Sequence, residues 1–171
     1  MFLPMFDYTI DHPAGSAEFH AELRGAADAL TAEEADPVAN MANLAALIWQ
    51  LMPDLNWAGF YRVQGDTLVL GPFCGRPACI RIPVGRGVCG AAAASGTSQL
   101  VEDVHAFPGH IACDAASRSE LVVPVLADGQ VIAVIDLDSP LPARFTDGDR
   151  DGFEALAELI APRIQEGIRE G

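Results

Sequence analysis

Two short connections limit the fold of this chain more than anything else in its sequence. The strand-like runs "NWAGFYRV" and "TLVLGPF" are parted only by "QGD", and "ELVVPVL" and "QVIAVIDLD" only by "ADG". Loops that short, each with a glycine, close hairpins and leave no room for a helical crossover, so both pairs are antiparallel. "ACIRIPV" and "SQLVEDV" add two further short strands. Helices lie outside and between the hairpins. Ser16 caps one with Phe19, Leu23, Ala26, Ala27 and Leu30 at helical spacing, and Pro37 opens another with Val38, Met41, Leu44, Ala45, Ile48 and Leu51 on one face. "GRGVCGAAAASG" reads as a third helix ended by Gly96, and Thr146 caps a last one carrying Phe153, Leu156, Ala157, Ile160 and Ile164. The expected class is α+β, an antiparallel sheet of about six strands with the N- and C-terminal helices packed on one face. Dinucleotide and P-loop folds are excluded, because neither glycine motif occurs in strand–helix context.

The chain reads as a single domain over residues 1–171, with residues 1–15 a lead-in. Its formal charge of −14 comes from 24 acidic residues against ten arginines, with no lysine. Nucleic acids and anionic membranes demand clustered cations, so neither is an expected partner. "MFLPMFDYTIDHP" lacks the basic and apolar regions of a secretory signal, and the longest apolar runs are too short to cross a bilayer. A cytoplasmic location is expected, and there disulfides are usually catalytic or redox-sensing. All four cysteines (Cys74, Cys79, Cys89, Cys113) fall within 40 residues.

Three of the four have distinct settings. Cys113 lies in the polar loop "GHIACDAASRSE", a poor environment for an inert structural thiol. Cys89 lies in the first turn of the alanine-rich helix, where the helix dipole and Arg86 favour thiolate. Cys79 opens a strand. His105, His110 and Cys113 form H-x4-H-x2-C, three potential zinc ligands, but structural zinc sites need four and usually show paired cysteines. Within "VIAVIDLDS", alternation sets Ile132, Val134, Asp136 and Asp138 on one face and Val131, Ala133, Ile135 and Leu137 on the other. Glu120, at the start of the neighbouring strand, can join the two aspartates, and three converging carboxyls raise one another's pKa. Asp136 and Asp138 also suit a plain strand end, and Trp57 and Tyr61 suit either a core or a pocket wall.

Taken together, "GPFCGRPACIRIPVGRGVCG", "VEDVHAFPGHIACDAASRSELVVPV" and "VIDLDSP…RFTDGD" resemble the free methionine-(R)-sulfoxide reductases, a family of single GAF domains. The likeness covers roughly residues 40–165. It implies a ligand pocket on the sheet face opposite the terminal helices. It implies Cys113 as the catalytic thiol, with Cys79 and Cys89 taking part in disulfide resolution and recycling. Glu120, Asp136 and Asp138 then match the acids that bind and polarise substrate, and Trp57 and Tyr61 the aromatic wall around its methyl end. Cys74 stands where the family usually has a polar residue, and is expected to be a non-catalytic extra thiol. The implied substrate is free methionine-(R)-sulfoxide and the implied reductant a thioredoxin-type protein. Neither a bound cofactor nor a metal is expected, and the resemblance allows a homodimer. The readings it displaces are a GAF sensor domain that binds a small ligand without chemistry, and a module whose disulfide is itself the signal.

Overall fold

The computed structural model describes residues 7–111, 113 and 115–165. Its elements follow the order α1 (Ala17–Thr31), α2 (Pro37–Leu51), β1 (Trp57–Gln64), β2 (Thr67–Gly75), β3 (Arg81–Pro83), α3 (Gly87–Ser95), β4 (Gln99–Val101), β5 (Ser119–Ala127), β6 (Gln130–Ser139) and α4 (Asp147–Ile164). The six strands form one sheet in the order β3-β2-β1-β6-β5-β4, antiparallel at every step. Both predicted hairpins are present. The β5–β6 turn places Asp128 and Gly129 at φ 52° and 76°. That pair of positive φ values is what a two-residue hairpin with the native twist requires.

The sheet divides the interior in two. On one face α1, α2 and α4 bury Phe19, Leu23, Met41, Ile48, Phe153 and Ile160 against Phe60, Val123, Ile135 and Leu137. Each large side chain removed from water there contributes roughly 1.5–3 kcal/mol. On the other face only α3 packs, with Val88, Cys89 and Ala92 against Trp57, Tyr61, Leu68, Val122 and Val134. One helix does not cover a six-stranded face, and the uncovered part becomes the pocket.

The helix caps match the sequence signals. The Ser16 and Asp36 side chains accept from Phe19 N and Ala39 N. Thr146 and Asp149 form a reciprocal capping box at the start of α4. Asp149 is fully buried, and its Oδ1 lies 2.9 Å from His20 Nε2 of α1, so the cap also joins the two terminal helices.

Local register departs from simple alternation at two places. Gly59 pairs with Phe73 and Tyr61 with Leu70, so Gly71 and Pro72 of β2 oppose Phe60 alone. This bulge turns Phe73 to the pocket face and Cys74 to the helix face. The strands approach so closely there that a Cβ on Gly59 would lie 2.3 Å from that of Phe73. In β6 the register slips between Val125 and Leu126, leaving Ile132 as the extra residue. Val131 therefore joins the pocket-side cluster and Ile132 the helix side, the reverse of the expected alternation. Two strands are also shorter than their sequence runs. β3 begins at Arg81, so Cys79 lies in the preceding loop rather than in the strand. β4 stops at Val101, because Asp103 turns its side chain to cap the 3-10 turn Val104–Ala106.

Candidate active site

The pocket opens between the uncovered sheet face, the first turn of α3, residues 76–78, and His110, Ile111, Cys113 and Ser117. It encloses about 540 Å³ including its open mouth. Strand register assembles its floor. Trp57 pairs with Asp138, and Asp138 with Glu120, so one row across β1, β6 and β5 carries an aromatic and two acids. The next row places Asp136 between Gly59 and Val122. All five of the expected substrate-binding residues, Trp57, Tyr61, Glu120, Asp136 and Asp138, line this one pocket.

The aromatic wall also holds a loop in place. Trp57 stacks on Tyr61 and on Phe73, with ring centroids 5.8 and 5.1 Å apart. Its Nε1 donates to Arg76 O at 3.1 Å, and the Tyr61 hydroxyl donates to Cys79 O at 2.9 Å. Burial, then the charges of Asp136 and Cys89, keep that phenol strongly protonated and fit only to donate. These two bonds fix the backbone that carries Cys79. Cys79 is disulfide-bonded to Cys113 across 34 residues of sequence, their Cα atoms 5.6 Å apart. Cys113 and Ala78 line the pocket mouth, with Arg76, Arg86 and His110 around them. His110 meets His105 edge-to-face at 6.5 Å, and burial, then that neighbour, lower its pKa. With Cys113 in the disulfide, the H-x4-H-x2-C residues do not gather as a metal set.

Cys89 departs most from expectation. Its thiol is buried on the floor and donates to Glu120 Oε1 at 3.9 Å. Burial, then Asp136 and Glu120, push its pKa well up, so the carboxylates override the helix end that favours thiolate. Glu120 is raised well above the usual carboxyl range by burial, then by Asp136 and Asp138. Asp136 is raised to about 6 by burial, against hydrogen bonds from Glu120 and Cys89. Glu120 thus keeps its proton while Asp136 ionises. Among the described residues, Asp136 Oδ1 is buried without a hydrogen-bond partner. Sγ of Cys89 and one oxygen each of Glu120 and Asp136 lie within 4.8 Å of one another, and no other such group occurs among the described residues. Cys74 is half-buried on the helix face, away from the pocket, and burial raises its pKa.

Sequence reasoning misses Phe73, Arg76 and Ser117. Phe73 reaches the pocket only through the β2 bulge. Ser117 accepts from Asn56 Nδ2 at 3.0 Å and ties the Cys113 loop to the start of β1. Neither contact leaves a spacing signal. Arg76 sits two residues beyond Cys74 in a run free of acids, and that run was the available clue.

Comparison with known proteins agrees with this architecture. A family model described as GAF domain matches residues 34–165. The chain is 54% identical over 143 residues to the free methionine-R-sulfoxide reductase of Escherichia coli, covering 84% of this chain and 87% of that protein. It is 47% identical to the Saccharomyces cerevisiae protein of that name, over 72% of this chain and 73% of the other. Among solved structures, the free methionine-R-sulfoxide reductase of Neisseria meningitidis, in complex with its substrate, matches with a TM-score of 0.84 at 43% identity. That match spans 93% of this chain and 96% of the other. A sheet with a pocket on one face, a Cys79–Cys113 disulfide beside it and relatives this similar converge on one conclusion: the chain belongs to the GAF-domain family and, within it, to the free methionine-R-sulfoxide reductases.

Proposed function

We propose that this protein reduces free L-methionine-(R)-sulfoxide to methionine, with Cys113 as nucleophile, Cys79 as resolving thiol and a thioredoxin-type dithiol as the final reductant. The observation that carries the reading is the Cys79–Cys113 disulfide at the mouth of a pocket floored by three carboxyls. In the reduced enzyme the Cys113 thiolate attacks the sulfoxide sulfur. Oxide leaves poorly, so its oxygen must gain a proton as the S–O bond breaks. Glu120, kept protonated by burial beside Asp136, is the acid for that step. That leaves Cys113 joined to the substrate sulfur as a sulfonium; water then attacks Cys113 Sγ, methionine departs with the S–S bonding pair, and Cys113 is left as a sulfenic acid. The Cys79 thiol displaces it as water and the disulfide forms. Exchange with the dithiol reductant restores both thiols. No bound cofactor or metal takes part in this sequence of steps.

The pocket's charges suit a zwitterion. Asp136, with an unpartnered buried oxygen, faces the ammonium group. Arg86, Arg76 and the N-terminus of α3, which has no side-chain cap, face the carboxylate. Peptide-bound methionine sulfoxide lacks both charges. The stacked Trp57 and Tyr61 wall suits the methyl end.

Of the two thiols that the resemblance leaves open as resolvers, Cys79 is the first on this reading, and Cys89, a buried and protonated thiol, has no part in the first disulfide. The test is NADPH consumption with thioredoxin and thioredoxin reductase, offering free R and S epimers separately. Turnover of free R alone, lost in Cys113→Ser, is the expected result. No turnover with either epimer, by protein with reduced thiols, would favour a ligand-binding GAF module instead.

A further inference from the structure

The pocket floor holds a group of ligand atoms that the proposed reaction uses only in part. Cys89 Sγ and one oxygen each of Glu120 and Asp136 lie within 4.8 Å of one another, on three different elements, and all three residues are buried. Sγ to Glu120 Oε1 is 3.9 Å. Cys89 is outside the disulfide, and among the described residues Asp136 Oδ1 is a buried acceptor without a hydrogen-bond partner. A zinc-class ion bound by one thiolate and two carboxylates, at bond lengths of about 2.0–2.3 Å, brings its ligand atoms to roughly 3–4 Å apart. A contraction of about an ångström completes that arrangement here.

We propose that Cys89, Glu120 and Asp136 form a three-ligand site for a thiophilic divalent cation of the zinc class, with its fourth position open to the pocket. The thiolate selects against magnesium and calcium, which take oxygen donors. Binding breaks no covalent framework bond and moves no electrons. The ion replaces the protons on the thiol and carboxyl, which are released to solvent. Its position coincides with that of the substrate's polar end, so an occupied site excludes substrate. The exclusion rests on the proposed reaction, whereas the binding does not.

The disulfide form of the full chain isolates the site, because Cys79 and Cys113 cannot then ligate. Cobalt(II) added to it is expected to produce a near-ultraviolet thiolate-to-cobalt charge-transfer band that saturates at about one equivalent and is bleached by zinc. Cys74→Ser keeps the band, Cys89→Ser and Cys89→Ala both abolish it, and Asp136→Asn weakens cobalt binding by at least about tenfold. Far-ultraviolet circular dichroism on each variant establishes that it is folded. A wild-type protein without the band, or a band that survives Cys89→Ala or disappears in Cys74→Ser, overturns the site. Saturating free methionine is expected to displace the cobalt, and a band unchanged by it overturns the exclusion of substrate. Turnover of the same preparation separates a failed metal site from a failed enzyme.

Discussion

Cys89 occupies the first turn of a helix, where free N–H groups favour an anion, and yet its thiol is held protonated. A helix terminus contributes typically 0.3–1 kcal/mol, about 2 in favourable partly buried geometries. Loss of water around a fully buried thiol, with two carboxyls in reach, opposes that and wins. On the proposed reaction, the same balance divides the carboxyls into roles. Glu120 retains its proton, and its replacement in Glu120→Gln keeps the shape but removes the acid. We expect kcat to fall by about 10²–10⁴-fold in steady-state assays of that variant, with the disulfide still able to form slowly. Asp136 ionises at about 6. On the reading that its anion receives the ammonium group, kcat/KM rises as pH increases through about 6 and levels above it. The sign follows from a raised carboxyl pKa: below it the group is neutral and attracts no cation. Asp136→Asn should flatten that limb of the pH profile, and a limb unchanged in the variant would assign it elsewhere.

At the scale of elements, the site depends on irregularities in otherwise ordinary strands. The β2 bulge at Gly71–Pro72 decides that Phe73 stacks on Trp57 while Cys74 faces the helix side of the sheet, opposite the pocket. Proline cannot donate to a ladder, so a bulge is one place where a strand tolerates it. Between α1 and α4, Asp149 both caps a helix and receives the His20 ring. Burial raises its pKa, but the His20 and Thr146 hydrogen bonds and the nearby Arg144 outweigh that, and the net shift is downward. A depressed folded-state value means that the stabilisation is present above the unfolded carboxyl pKa, near 4, and is lost as pH falls through the lower folded value. Asp149→Ala removes the cap and leaves a buried imidazole without its partner. It should destabilise by about 2–4 kcal/mol in urea melts at neutral pH, and by less as the pH approaches 3. Equal losses at both pH values would deny the carboxylate its role.

For the whole molecule, the Cys79–Cys113 bond ties the loop before β3 to the loop before β5. A crosslink spanning 34 residues of sequence restricts the unfolded chain by up to about 4 kcal/mol on loop-entropy grounds. In a Cys74→Ala background, the oxidised form should therefore melt at higher denaturant than the reduced form, with unchanged slope. Equal midpoints would mean that the native state loses as much by forming the bond as the unfolded state does. Much of this architecture was legible in the sequence, because its causes are local. Hairpin loops too short for a crossover dictate antiparallel pairing, caps mark where helices begin, and Cys89, Cys113 and the aspartates of "IDLD" all line one pocket. Register to first order is local too, and alternation alone places Asp136 and Asp138 on one face of β6. Three things were decided only in the folded chain: the bulges that reverse Val131 and Ile132 and bring Phe73 to the pocket, the pairing of Cys113 with Cys79, and the protonation of Cys89. Each depends on neighbours distant in sequence, through close strand contact, loop closure or desolvation among carboxyls from two other elements. Spacing along one strand carries no record of such forces, since they arise only when the chain has closed around them.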